Sequence, residues 1–321
     1  MDLAILASKW ILLVKAESGS VNTVRIDSYT LPDLFLGVRK DGMRCLILKL
    51  PVNYDADFKS SVKQNLSLEL YREDGWVILT LLDDQYTDLF DDLIFSIYNK
   101  INTIQEAPVY VSEFLKTYYK WSEFFQENES DDLSEDAVRG LLGEFLILRD
   151  MLISAGSSQI NEVLSSWNGP YDTGHDFIGE FCNVEVKTKL NTSATIKISS
   201  EYQLQAEQGK QLELMIVTIE PDPLSGVTLE ETGIEIKEQV ILKMGDYSIF
   251  LKAIAQKGLT LNILKKYNFL RFAPVSINSY SCNTEGFPRL VREKLPDSIS
   301  TVTYKLNVQS LKPFLSSEKF F

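Results

Sequence analysis

Apolar and polar residues alternate through four early stretches: "LFLGVRK" from Leu34, "RCLILKL" from Arg44, "LSLELYRE" from Leu66 and "WVILTLL" from Trp76. A period of two predicts strands, and "KDG" and "EDG" supply turn signals between them. The opening residues predict a helix. The spacing then lengthens in "DDLIFSIYNKI" and "VSEFLKTYYKWSEFF", which predicts two helices that close an N-terminal α+β unit over residues 1–125. The acidic run "QENESDDLSED" follows, with Leu133 as its one large apolar residue, and reads as a solvated boundary.

Ser134 begins the next helix as a capping residue, with Glu135 and Asp136 in the first turn, and the apolar spacing carries it to about Ser154. After "NGP" at Asn168–Pro170 the pattern predicts strand "HDFI", turn "GEF", strand "NVEVKTK" and strand "ATIKIS". Ser199 or Ser200 caps a short expected helix, "SEYQLQAEQ", which ends at Gly209 before the apolar strand "LELMIVTIE". Residues 126–225 therefore form an expected core of order α-β-β-β-α-β. Residues 226–321 mix "GIEIK", a helix-like "SIFLKAIAQKG", the basic "LKKYNFLRF" and a final strand region "STVTYKLNV". The expected class is α/β in an α+β arrangement, with residues 226–321 as a third, basic subdomain on the core.

Composition narrows the chemistry. The chain has 321 residues, 45% of them hydrophobic, enough for a sizeable core, and no run approaches the length of a membrane span. No signal-peptide pattern opens it, so a cytoplasmic protein is expected. Cys45, Cys182 and Cys282 are too dispersed for a disulfide framework or a cysteine zinc site. His175 is the single histidine, which removes HExxH helices and polyhistidine metal clusters and leaves catalysis to carboxylates and lysines. Net charge is −13, but residues 226–321 carry 13 Lys+Arg against 9 Asp+Glu, whereas residues 126–225 carry 6 against 18. The basic third is either a solvated basic surface or the source of phosphate contacts, through Lys265, Lys266, Arg271, Arg289 or Arg292.

The charges in "HDFIGEFCNVEVKTK" stand out. On a strand Glu185 and Lys187 share one face while Val184 and Val186 pack on the other. A turn at Glu180–Phe181 sets Asp176 opposite Glu185, and a turn at Gly179–Glu180 makes them diagonal neighbours. Two crowded carboxylates need a proton or a cation between them, and Mg²⁺ suits two carboxylates, a backbone carbonyl such as that of Val186, and water. Lys187 then faces the substrate, an arrangement suited to phosphodiester hydrolysis. Glu144 projects from a helix whose neighbours at three and four positions are Gly140, Leu141, Ile147 and Leu148, an expensive place for an unpartnered carboxylate. Gln203, Lys189 and His175 are candidates for substrate contact, His175 equally for packing.

Glu144 in "GLLGEFLILRDML", Asp176 in "HDF", Glu185 and Lys187 in "VEVK", and the following "ATIKISSEYQL" resemble the core of the PD-(D/E)XK nuclease superfamily. "SWNGP", "FPRL" and "LPDSISTVTYKLNV" resemble PD-(D/E)XK-motif proteins once known only as a domain of unknown function, encoded beside restriction-modification and phage-defence genes. His175 stands where the family name has proline. The resemblance implies a restriction-endonuclease-like core with a mixed central sheet, Asp176 and Glu185 as metal ligands, Lys187 as catalytic lysine and Glu144 as supporting acid. It further implies Mg²⁺, with Mn²⁺ able to substitute, and a DNA endonuclease of a bacterial defence system. The implied partners are an ATPase or helicase, a MutL-like or MORC-like ATPase and a DNA methyltransferase; a homodimer is compatible. Two alternatives remain open, a non-catalytic scaffold or DNA-recognition subunit and an RNA-processing nuclease.

Overall fold

Alternate burial of Leu34, Leu36, Leu46, Leu48, Leu68 and Leu79 builds the first sheet. The computed structural model describes residues 3–13, 21–126, 132–171, 174–299 and 301–321, and separates into two units, Met1–Asn128 and Glu129–Phe321. In the first unit α1 (Leu3–Leu12) precedes β1 (Val21–Arg25), β2 (Asp33–Arg39), β3 (Arg44–Lys49), β4 (Ser61–Lys63), β5 (Leu66–Tyr71) and β6 (Trp76–Leu81). These strands form one antiparallel sheet of order β1-β2-β3-β6-β5-β4. Gly42 and Gly75 hold positive φ in the two expected turns, where a side chain would be strained. Helices α2 (Thr87–Ile101) and α3 (Ala107–Ser122) follow, burying Phe90, Ile94, Phe114 and Trp121. Residues 127–131 of the expected acidic boundary lie outside the described residues.

The second unit opens with α4 (Glu135–Ser154), whose first free amides are met by the Ser134 hydroxyl, accepting from the Ala137 N–H at 3.2 Å. Its last carbonyls are met by Lys243, whose ammonium donates to the Leu152, Ile153 and Ala155 oxygens. Then come α5 (Ile160–Ser166), β7 (Phe177–Ile178), β8 (Cys182–Leu190), β9 (Thr195–Ile198) and β10 (Gln211–Pro221). They are followed by α6 (Leu229–Leu242), α7 (Ser248–Ala255), α8 (Leu261–Leu264), β11 (Phe272–Ser281), β12 (Tyr304–Asn307) and β13 (Leu315–Phe320). Five strands make a mixed sheet of order β13-β11-β10-β8-β7, with β8 and β10 parallel and the other neighbours antiparallel. The strands β9 and β12 form a separate antiparallel ribbon. The architecture is mixed α+β, as the sequence predicts.

Two sequence expectations change. A division at residue 225 would run through one sheet, because β11 and β13 extend it beyond β10. Residues 201–204 form turns, not the expected helix. The Leu204 side chain is drawn into the core with Ile196, Ile198, Leu212 and Leu214, while its carbonyl accepts from Arg289 at 3.0 Å, so tertiary contacts take the groups a helix would use. No helix among the described residues is long and apolar enough to cross a membrane.

Candidate active site

The β7–β8 hairpin turns at Glu180–Phe181, with the Gly179 N–H donating to the Cys182 carbonyl at 3.1 Å. Phe177 then opposes Val184, and Ile178 opposes Asn183. One further step of that register sets Asp176 opposite Glu185, at a pair that the alternation of the ladder leaves without mutual backbone bonds and with closer side chains. The Asp176 backbone is fixed from outside the hairpin, its carbonyl accepting from the Asn168 and Gly169 amides at 2.7 and 3.0 Å. Its side chain turns to β8, where Oδ2 accepts from the Val186 N–H at 2.7 Å. The N–H and C=O of one strand residue point to the same side, so the Val186 carbonyl is directed to the β7 side of β8.

Glu185 and Lys187 share a face of β8, and the ammonium donates to Glu185 Oε1 at 2.5 Å. Glu185 is only 1% exposed. Helix α4 packs on the opposite face at Gly143, where a Cβ would overlap the Thr188 hydroxyl. That close approach brings the next residue, Glu144, within reach of the hairpin. The indole N–H of Trp167 donates to Glu144 Oε2 at 2.8 Å, and Trp167 is held between Phe145, in an edge contact, and Phe250, in a stack. Gly169 borders the same carboxylate so closely that a Cβ there would collide with it.

The four charges act on one another. Burial pushes Glu185 up to about 8, the Asp176 charge adds to the rise, and Lys187 opposes it. Although Glu144 keeps some exposure, the protein packed around it pushes its carboxyl up to about 8; Asp176 raises it further, while the Trp167 bond and Lys187 pull it down. Asp176 is raised by burial against the pull of Lys187 and the Val186 amide. Burial is the first cause of all three rises, and the Lys187 ammonium opposes each of them.

The remaining candidates are placed differently. His175 is 5% exposed and packs inward, its Nδ1 accepting from the Asn183 amide at 3.3 Å, which puts a neutral ring's proton on Nε2. Burial lowers its pKa. The same Asn183 amide donates to Glu207 at 3.0 Å. Gln203 lies on a turn and its side-chain oxygen accepts from the Ser199 N–H at 2.7 Å, closing that turn instead of facing the carboxylates. The Lys189 ammonium donates to the Leu190 carbonyl at 3.2 Å. Among the expected phosphate contacts, Arg271 binds both oxygens of Glu231, Arg289 binds the Leu204 carbonyl, and Arg292 donates to the Pro296 and Ile299 carbonyls beside Glu201. Lys265 is 3.8 Å from Glu230, and Lys266 is exposed. All three arginines are bonded within the fold.

Sequence reasoning missed Trp167, Gly143, Gly169 and Lys257. The Trp167 indole, inside "SWNGP", needed an acceptor if buried. Lys257, just beyond α7, lowers the Asp176 carboxyl through its charge, which nothing in the local sequence announces.

A divalent cation fits this donor set. Asp176 and Glu185, opposed across the hairpin, are hard oxygen donors, the neighbouring Val186 carbonyl is a third, and raised carboxyls are relieved by positive charge. Among the described residues no three His, Cys, Asp or Glu side chains are grouped to hold a metal by themselves, so carbonyl and water oxygens complete such a site. A family model described as "Putative PD-(D/E)XK family member, (DUF4420)" matches residues 6–309. No curated protein matches the chain, and no solved structure does.

Proposed function

Since the chain belongs to the DUF4420 family, a PD-(D/E)XK family with a nuclease-type fold, we propose that it is a Mg²⁺-dependent DNA endonuclease of a bacterial defence system. The supporting observation is that Glu185 is paired with Lys187 while Asp176 and Glu144, both raised, lie within electrostatic reach of that pair. Asp176, Glu185 and the Val186 carbonyl would hold the metal, with Mn²⁺ able to substitute. When bound, the ion supplies Lewis-acid polarisation of the phosphate and a more acidic water. Glu185 positions Lys187 through their 2.5 Å bond, and the ammonium balances the charge that grows on the phosphate oxygens. Trp167 holds Glu144 toward the same place, where its high pKa lets it carry or pass a proton near neutral pH. The Val186 amide orients Asp176. An ATPase or helicase, a MutL-like or MORC-like ATPase and a methyltransferase are the proposed partners, and the proposed compartment is the cytoplasm.

Calorimetry with Mn²⁺ on wild type and Asp176→Asn, together with cleavage of plasmid DNA and of RNA in Mg²⁺, tests the reading. Metal binding and DNA cleavage, both lost in the variant, are expected. Equal Mn²⁺ affinity in the two proteins would overturn it.

A further inference from the structure

The acidic residues of this chain avoid one strip. The protein carries 45 Asp+Glu and a net charge of −13, yet residues 186–200 contain Lys187, Lys189 and Lys197 and no acid, and residues 298–317 contain Lys305 and Lys312 and no acid. These segments are far apart in sequence, and the fold joins them: β9 pairs with β12 in the register Tyr304–Ile198, Lys305–Lys197, Leu306–Ile196, Asn307–Thr195. The pleat sends Ile196, Ile198 and Leu306 into the core against Leu212, Leu214 and Ile216. It sends Lys197 and Lys305 outward, directly opposite each other and exposed.

Like charges facing each other across an antiparallel pair are destabilising, and a Lys–Glu pair is the ordinary remedy. Here neither lysine has an ion pair with a described residue. The ribbon is also continuous with the candidate site. Lys187 lies on β8, and after the short turn at Asn191–Ser193 the chain enters β9; the Ala194 carbonyl accepts from the Val308 amide at 3.0 Å at the start of the ribbon. Lys312 follows β12 and is exposed. The arginines expected to meet phosphate are engaged elsewhere in the fold.

We propose that the outer face of the β9–β12 ribbon, through the opposed pair Lys197 and Lys305, binds the phosphate backbone of the nucleic acid on which the Asp176–Glu185 site acts. The proposal rests on the nuclease reading for the identity of its ligand, and on the charge pattern and register for its place. A nucleic-acid backbone, with a negative charge at each phosphate, relieves the lysine pair at every contact and binds by releasing counterions, so the salt dependence counts the contacts.

The test is fluorescence anisotropy of a labelled DNA duplex in EDTA over a range of salt, with an RNA duplex as a parallel arm. The proteins are full-length wild type, Lys197→Gln/Lys305→Gln, and the control Lys40→Gln/Lys59→Gln, exposed lysines of the first unit. The double ribbon variant is expected to lose about two from the slope of log affinity against log salt, and roughly tenfold or more in affinity at about 0.1 M salt. The control is expected to bind as wild type, and whichever duplex binds more tightly identifies the nucleic acid. An unchanged slope in the ribbon variant, or no binding by wild type to either duplex, overturns the proposal. Mn²⁺ calorimetry on the same proteins keeps the two readings apart. A ribbon variant that loses its slope in a protein that binds no Mn²⁺ leaves the ribbon standing without the nuclease, and metal-dependent cleavage with an unchanged slope leaves the reverse.

Discussion

The indole N–H of Trp167 donates to the Glu144 carboxylate at 2.8 Å, joining the loop after α5 to the middle of α4. Trp167 is 1% exposed, so its N–H has no water to turn to, and among the described residues no other side chain donates to Glu144. The pair therefore fixes the supporting acid.

Trp167→Phe keeps the aromatic packing on Phe145 and Phe250 and deletes the donor. The expected result is a loss of about 1 kcal/mol in stability, because a half-buried carboxyl loses its indole donor, and a slower proposed cleavage through a misplaced Glu144. Denaturant melts and single-turnover cleavage check it. A variant that cleaves at the wild-type rate would separate Glu144 from the reaction.

Gly143 makes a second joint. Its missing side chain lets α4 meet Thr188 on β8, and the Thr188 hydroxyl is buried with no hydrogen-bond partner among the described residues. Gly143→Ala should cost about 1–3 kcal/mol by overpacking, even though alanine is the better helix former. Adding Thr188→Ala removes the hydroxyl that is struck and should recover part of the loss. Equal melting midpoints for Gly143→Ala and wild type would show that the interface yields freely.

These two joints mark where the sequence stopped being legible. Four of the six strands of the first unit (β2, β3, β5 and β6), the Ser134 cap and the shared face of Glu185 and Lys187 follow from local period and capping chemistry, and the structure carries each of them. The hairpin register was open between two turns, and the Gly179–Cys182 bond chooses Glu180–Phe181. What local pattern could not reveal is contact across the chain. Leu204 leaves its expected helix because Arg289, 85 positions away, takes its carbonyl. The lysine pair of the ribbon exists only because residues 195–198 and 304–307 meet. Arg271 looks like a free cation in sequence and is bound to Glu231, 40 positions before it.

Acidity should reveal the crowded carboxyls without any substrate. Glu144 and Glu185 are raised from an ordinary 4.5 to about 8, so between those values the folded protein holds protons that the unfolded chain has released. Stability from these groups is full below about 4.5 and is lost as pH rises toward 8. In EDTA the denaturant midpoint should fall over that window, and fall less in Glu185→Gln. Mn²⁺ added at pH 8 should raise it again by binding only the folded state. A midpoint with the same pH slope in both proteins would contradict the shifted pKa.

Lys187 decides whether this arrangement is a reaction centre or a charge compensated for the sake of the fold. Its ammonium touches a carboxylate that is 1% exposed, so Lys187→Ala does more than delete a surface charge. Without it Glu185 keeps its proton to still higher pH, and a neutral acid in that place costs little. The fold should therefore survive best at about pH 6, and the stability loss should widen toward pH 9. Cleavage depends differently on the residue. An ammonium placed to meet charge that develops only in the transition state contributes to rate and little to binding. Lys187→Ala should thus reduce single-turnover cleavage by orders of magnitude at a pH where its melt matches wild type, with duplex affinity nearly unchanged. Lys187→Arg should restore the melt more fully than the rate, since a planar guanidinium can pair with Glu185 but cannot place its donors where a compact ammonium does. If the alanine variant cleaves at the wild-type rate, the ion pair is structural and the lysine has no part in the chemistry.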